Sequence, residues 1–262
     1  VDEYAYVQSL GKSPKEPIIP MRYLERESFH GGVEAAARHA RSFCAQVDIC
    51  SGSKTTRKVR FVDKNYLRKL AEVHYEEQGE GKITLMAEHY DCVVVTDFGH
   101  GFITPEIISS LQAHPFLAVN AQTNSSNIGF NLITKYAKAD YIVVDEPEAR
   151  LAAQDRDGHI EDVMHKLAHG RCERFVVTHG LHGAYGYDHG RFIHCPTHSS
   201  LPLDTMGAGD AFFAITAPMA KHGRMEDLLR IGNAAGALKC QIPGHRSSVT
   251  KEALIDFIKR TH

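Results

Sequence analysis

The chain has 262 residues, enough for one large α/β domain with a sizeable core and not requiring two. Its 30 basic and 32 acidic residues are interspersed, which leaves no electrostatic footprint for nucleic acid or an anionic membrane surface. No apolar run reaches membrane-spanning length and no signal peptide opens the chain, so a cytoplasmic protein is expected.

The chain begins at Val1 without an initiator Met and reads as a fragment. The three prolines between Leu10 and Pro20 predict extended backbone, and no helix is expected before Gly31. His30-Gly31-Gly32 is a turn, and the Ala-rich run from Val33 to Cys44 predicts a helix. Its start is either a plain glycine-led cap or a place where backbone N–H groups meet a polar ligand. Residues 58–73 alternate and then fray, consistent with a hairpin, although Tyr66 to Val73 suits a helix equally well. Lys58 and Arg60 sit two apart and would share one strand face, which either suits a phosphorylated ligand or is simply solvated.

Asp91 to Asp97 is a short apolar run typical of a buried parallel strand. Thr104 and Pro105 then predict an N-cap and first helical position for a helix to His114. Ligands of open α/β sheets bind at the carboxyl ends of strands, so Asp97 is a candidate substrate residue. Phe116–Asn120 and Tyr141–Val144 repeat the strand pattern, each leading to a helix, and Arg174–Thr178 does so again. The alternation predicts an α/β fold with a mainly parallel central sheet covered by helices on both faces. The six scattered cysteines, without a CxxC pair, are expected to be reduced thiols. His179-x2-His182 and His194-x3-His198 have no partner at a zinc-site spacing and read as ordinary loop or surface histidines. Small residues from Ile231 to Ala237 predict a helix that allows close approach of a neighbour or ligand. Thr250 caps a last amphipathic helix to Lys259.

The most informative stretch runs from Leu203 to Lys221. Gly207, Ala208 and Gly209 form a small-residue turn, and Ala211, Phe212, Ile215 and Met219 then recur at helical spacing until Gly223 supplies a stop. A helix starting near Ala208 or Gly209 presents free N–H groups and a positive dipole end to an anion. Asp210, in its first turn, is placed to accept a proton from a hydroxyl that attacks a phosphoryl group. Taken alone, a GxGD turn also reads as a helix cap whose Asp only favours the dipole.

The full string Asp204-Thr205-Met206-Gly207-Ala208-Gly209-Asp210-Ala211-Phe212 resembles the C-terminal signature of the PfkB/ribokinase family of small-molecule kinases. The resemblance implies a ribokinase-like fold with a small β lid, transfer of the γ-phosphoryl of ATP to a sugar hydroxyl, Asp210 as base and Gly207–Gly209 as anion hole. It also implies that Asp145-Glu146-Pro147-Glu148 matches the family's Asn-x-x-Glu motif, with Glu148 and Asp145 organising Mg²⁺. Asp145 in place of Asn would either bind the metal directly or repel the phosphates. Thr178, Gly180 and Gly183 resemble the ATP-contacting turn, and Asn233 and Gly244 would lie near the adenine.

The N-terminal region resembles one branch of the family, the heptose 7-phosphate kinase domain of bifunctional ADP-heptose synthases. Asp2-Glu3-Tyr4, Ser13-Pro14, Pro17, Gly31-Gly32, Thr55-Thr56, Lys58, Arg60 and Asn65 carry this likeness. It implies that Asp2, Gly31 and Gly32 bind sugar hydroxyls and that Lys58 and Arg60 reach the substrate from a lid strand. The lid is expected at about residues 10–30 and 54–75 of a single domain, with a first strand missing before Asp2. A further βα unit usual in the family is absent near Ser53-Lys54, either lost or skipped. Ala35, His100 and Asn120-Ala121-Gln122 depart from the branch, removing two cations and an amide, so a related but different sugar phosphate is accommodated. The partner expectations are a sugar or sugar phosphate, a homodimer, a monovalent cation, and a nucleotidyltransferase domain fused in the parent chain. The alternative function is a non-catalytic sugar- or nucleotide-binding domain regulating that fused enzyme.

Overall fold

The computed structural model describes residues 1–52, 56–75, 90–197 and 202–261. The apolar runs form five-residue strands in a six-stranded sheet: β5 (Val93–Asp97), β6 (Leu117–Ala121), β7 (Tyr141–Asp145), β8 (Arg174–Thr178), β9 (Ala184–Asp188) and β10 (Arg191–Cys195), in the order β10-β9-β8-β7-β6-β5. The pairs from β5 to β8 are parallel, while β9 and β10 add antiparallel strands at one edge.

Alternate side chains of the strands serve two cores. Val119, Ile142, Val144, Phe175 and Val177 pack beneath α2 (Pro105–Leu111), α3 (Glu146–Ala153) and α4 (Ile160–Ala168). Their neighbours Ala118, Tyr141, Val143 and Val176 face α5 (Ala208–Thr216) and α6 (Met225–Lys239) on the other side. The last helix, α7 (Lys251–Arg260), packs on α6 with Leu254 buried. A second sheet has the order β2-β1-β3-β4 and consists of β1 (Asp2–Ser9), β2 (Met21–Phe29), β3 (Arg57–Asp63) and β4 (Lys69–Tyr75). It shares a cavity with α1 (Gly32–Ala40) and the N-terminal end of α5, and Tyr4, Tyr6, Phe29 and Val62 form its own small core.

Several expectations change here. Residues 69–75 form a strand, so the hairpin reading holds and the helical one does not. Phe116–Asn120 leads to no α-helix: Asn124, Ser125, Ser126, Asn127 and Gly129 favour turns, and only a 3₁₀ turn at Ile133–Lys135 follows. Arg174–Thr178 likewise runs into a short turn and an antiparallel hairpin. The helix after Gly207 ends at Thr216, well before Gly223, because Pro218 cannot supply the next backbone donor and the chain tightens into a 3₁₀ turn. Thr104 caps α2 as predicted, accepting from Ile107 N–H, although that helix stops at Leu111. The first strand of the chain belongs to the small sheet. Thr55 and the Ser53-Lys54 junction lie outside the described residues, as does His198. All six cysteines are free.

Candidate active site

A cavity of about 1710 Å³ opens between the small sheet, α1 and the start of α5. Asp2, Gly31, Gly32, Lys58, Arg60, Gly207 and Asp210 all line it, so residues more than 200 positions apart meet in one space. Gly207 caps α5 with φ of 75°, a left-handed conformation open to glycine without strain. A Cβ there would lie 3.0 Å from Cε1 of His245, a tight contact that adds to the preference for glycine. Ala208 and Gly209 complete the first turn, in which the Ala208 N–H donates to Thr205 O at 3.3 Å; a helix start of this kind suits an anion.

Asp210 is buried at 8% exposure. Burial raises its pKa, opposed by the positive potential of His245 and by the amide of Gln122, whose Nε2 donates to Oδ1 at 3.1 Å. A desolvated carboxylate beside helix-start N–H groups is suited to take a proton from a hydroxyl.

The opposite wall comes from β1 and β3, paired in parallel with Asp2 opposite Lys58. Arg60 is not the open cation that the sequence implies, because it binds Asp2 Oδ1 at 2.5 Å and Glu72 Oε2 at 2.6 Å. Burial alone would raise the Asp2 carboxyl, but the contacts with His245 and Arg60 outweigh it and bring it down to about 2. Gly32 packs against Phe98 so closely that a Cβ would fall 2.3 Å from the ring.

The expected nucleotide residues do not line this cavity; Asp145 and Thr178 end β7 and β8, where they are register partners, and Asn233 is on α6. Asp145 and Glu148 form a capping box at the start of α3: Glu148 N–H donates to Asp145 Oδ1 at 2.8 Å, and Asp145 N–H to Glu148 Oε2 at 2.9 Å. Glu148 also accepts from Thr123 N–H at 2.7 Å. Burial, and then the Asp145 charge, push the Glu148 pKa well above the ordinary carboxylate range, and burial raises Asp145 too. The buried Glu148 and the more exposed Asp145 repel each other, and with the hydroxyl of Thr123 buried and unpartnered beside them they fit a divalent cation that keeps several waters and takes one or two carboxylates. Among the described residues no group of three or more metal-ligating side chains exists. His179 instead pairs with Glu146 at 2.7 Å, and His194 Nε2 lies 2.8 Å from His182 O.

Gly180 is in the turn after β8. Gly183 and Asn233 converge on one backbone segment: a Cβ on Gly183 would strike Cys195 O at 2.1 Å, and Asn233 Nδ2 donates to Cys195 O at 2.9 Å and Pro196 O at 3.2 Å. One reading requires correction. Asp97 does not reach the cavity; at 2% exposure it accepts from Tyr136 Oη at 2.6 Å and pairs with Lys135, so its charge is consumed in the core. Gly244 offers no free polar group, because its N–H donates to Asp204 Oδ2 at 2.8 Å and its carbonyl accepts from Lys239 Nζ at 2.8 Å.

Sequence reasoning missed Gln122, His245, Lys239 and Thr123. Gln122 appeared only as a departure from a family pattern, and the other three did not appear at all. A neutral amide at the end of a strand and a lysine at a helix end have no local signature, since their roles depend on which distant element folds over them.

The sequence matches the family model described as pfkB family carbohydrate kinase over residues 114–252. A bifunctional protein HldE of Bradyrhizobium diazoefficiens is 25% identical over 291 residues, covering 91% of this chain and 57% of that protein. The chain thus spans about half the length of the curated relatives it matches. Among solved structures, ribokinase of Arabidopsis thaliana complexed with ribose and ATP superposes with a TM-score of 0.71 at 16% identity, covering 98% of this chain and 95% of that one. Phosphofructokinase-2 of Escherichia coli in complex with potassium does so with a TM-score of 0.73 at 14% identity, covering 99% and 95%. These likenesses show the ribokinase fold, and with the family model matching more than half of its residues the chain belongs to the pfkB family of carbohydrate kinases.

Proposed function

We propose that this carbohydrate kinase transfers the γ-phosphoryl of ATP to a hydroxyl of a phosphorylated sugar resembling heptose 7-phosphate. The observation that carries the reading is the position of Asp210: a desolvated carboxylate in the first turn of α5, on the same cavity as Asp2, Gly31, Gly32 and Lys58. Asp2 and the N–H groups at Gly31 and Gly32 hold sugar hydroxyls, and Lys58 faces the phosphate of the acceptor. Arg60 orients Asp2 through their ion pair and does not itself contact the phosphate. Asp210 removes the proton of the attacking hydroxyl while the helix start at the Gly207–Gly209 turn receives the developing negative charge on the phosphoryl oxygens.

Thr178, Gly180, Gly183 and Asn233 flank the nucleotide, and Glu148 with Asp145 holds Mg²⁺. When bound, the metal neutralises charge on the ATP phosphates. The kinship with HldE proteins supports a heptose phosphate acceptor, whereas His100 and Gln122 in place of lysines favour a relative of that sugar with a less anionic end. The experiment is ADP release from MgATP across free and phosphorylated sugars. Turnover with heptose 7-phosphate or a close relative supports the reading, and turnover with only free sugars moves the acceptor class.

A further inference from the structure

Lys239 closes α6, and its side chain is completely buried. A lysine is seldom buried without a carboxylate partner, yet among the described residues this ammonium pairs with none. It donates instead to three backbone carbonyls, Met206 O at 2.7 Å, Ile242 O at 3.0 Å and Gly244 O at 2.8 Å. The nearby carboxylate of Asp204 is occupied otherwise, by Tyr4 Oη, Lys69 Nζ and the N–H groups of Met206 and Gly244. It reaches Lys239 only through space, and burial lowers the Lys239 pKa against its pull.

Three carbonyl oxygens from two loops, Met206 on one and Ile242 and Gly244 on the other, converge on one buried positive charge with an anionic group behind them, and form the environment in which a desolvated monovalent cation is held. An ammonium and a potassium ion have nearly the same size. The place is significant as well. Met206 immediately precedes the Gly207 turn, and Lys239 Cε lies 3.3 Å from where a Gly207 Cβ would be. Gly244 leads to His245 on the cavity wall. The charge therefore fixes both loops that meet beneath the anion hole, and it adds a positive potential at Asp210 and the phosphoryl site.

We propose that the Lys239 ammonium is a tethered replacement for a monovalent cation, filling a carbonyl cage under the Gly207–Gly209 turn, so that this chain needs no potassium or sodium. A free monovalent ion does not fit the site as the chain folds, because the ammonium already takes the carbonyls. The catalytic importance of the cage rests on the anion-hole reading above; its occupancy does not.

The test follows thermal unfolding at constant ionic strength in potassium, ammonium, lithium and tetramethylammonium chloride. The wild type is expected to melt within about 1 °C in all four, since no ion gains a site. Lys239→Ala is expected to melt about 5–10 °C lower in tetramethylammonium chloride and to recover saturably in potassium or ammonium chloride but not in lithium chloride. A saturable rise of the wild-type melting temperature with potassium overturns the proposal, because the cage would then hold an exchangeable ion. A folded Lys239→Ala protein that potassium fails to stabilise also overturns it. If that variant does not fold, the wild-type series decides alone. Melting is independent of turnover, so ADP release measured in the same salts judges the kinase reading separately.

Discussion

Gln122 is the residue whose replacement most directly probes the environment of the base. Its amide donates to Asp210 Oδ1 at 3.1 Å, and its backbone is clamped on both sides: its N–H donates to Asp97 O at 2.8 Å, while Asn131 Nδ2 donates to its carbonyl at 3.0 Å and to Asp97 O at 2.8 Å. The side chain is thus aimed at the carboxylate by a rigid support. A hydrogen bond to an ionised group contributes about 1.5–3 kcal/mol. Gln122→Ala removes a donor that favours ionised Asp210, so the base protonates at higher pH and the acid limb of the profile moves up. At a pH on that limb kcat/KM should fall by about 10- to 100-fold, with a much smaller loss on the alkaline plateau. Gln122→Lys should move the limb the other way, since a cation favours the carboxylate, and should weaken the base. The assay is ADP release from MgATP with the acceptor found by the substrate panel, at half-unit pH steps. An acid limb that stays in place in Gln122→Ala, with kcat/KM lowered equally at every pH, would refute the reasoning and reduce Gln122 to a structural residue.

Arg60→Met removes a half-buried cation that pairs with Asp2 and Glu72 and should cost about 1–3 kcal/mol, read as a lower melting temperature. Asp2 is held at about 2 in the native state, so the stability it contributes is whole above pH 4 and is lost as pH falls from there through about 2; the gap between the wild type and the variant should narrow over that acid range. For Glu148 the sign is reversed. Its raised pKa means that the folded chain keeps a proton the unfolded chain loses, so with EDTA present stability falls as pH rises from the ordinary glutamate range through neutrality. Asp145→Asn retains a capping acceptor, removes the repelling charge and should flatten that slope, as should added Mg²⁺ in the wild type; equal slopes with and without the Asp145 charge would contradict the pairing. Tyr136→Phe, which strips the buried Asp97 of a 2.6 Å hydrogen bond, should cost about 1–3 kcal/mol in urea unfolding without changing KM for the acceptor.

The parts of the fold readable from the sequence are those set by local pattern. Short apolar runs bounded by polar residues became β5 to β8, and Thr104-Pro105 and Thr250 capped helices as their side chains dictate. The turn at Gly207 and the helix start at Ala208 were legible because a left-handed cap favours glycine locally. Failures came where a distant partner decides the outcome. Residues 66–73 suit helix or strand until β3 offers a ladder. Asp97 looked like a substrate residue because it ends a parallel strand, and only the fold brings Tyr136 and Lys135 to consume its charge. Arg60 looked like a ligand for phosphate until Asp2 and Glu72 arrived on neighbouring strands. Lys239, one more charged residue at a helix end in the sequence, became a buried cation only when the loops around Met206 and Gly244 closed over it.

The central claim is that Asp210 is the base of a sugar phosphate kinase. The most direct measurement is ADP release from MgATP by the wild type and by Asp210→Asn across free and phosphorylated sugars, with ATP binding measured on both. The account predicts acceptor-dependent release with a sugar phosphate in the wild type, a loss of about three orders of magnitude or more in Asp210→Asn, and equal ATP binding by the two proteins. Undiminished turnover in Asp210→Asn, or binding of ATP without release for any acceptor, would contradict it.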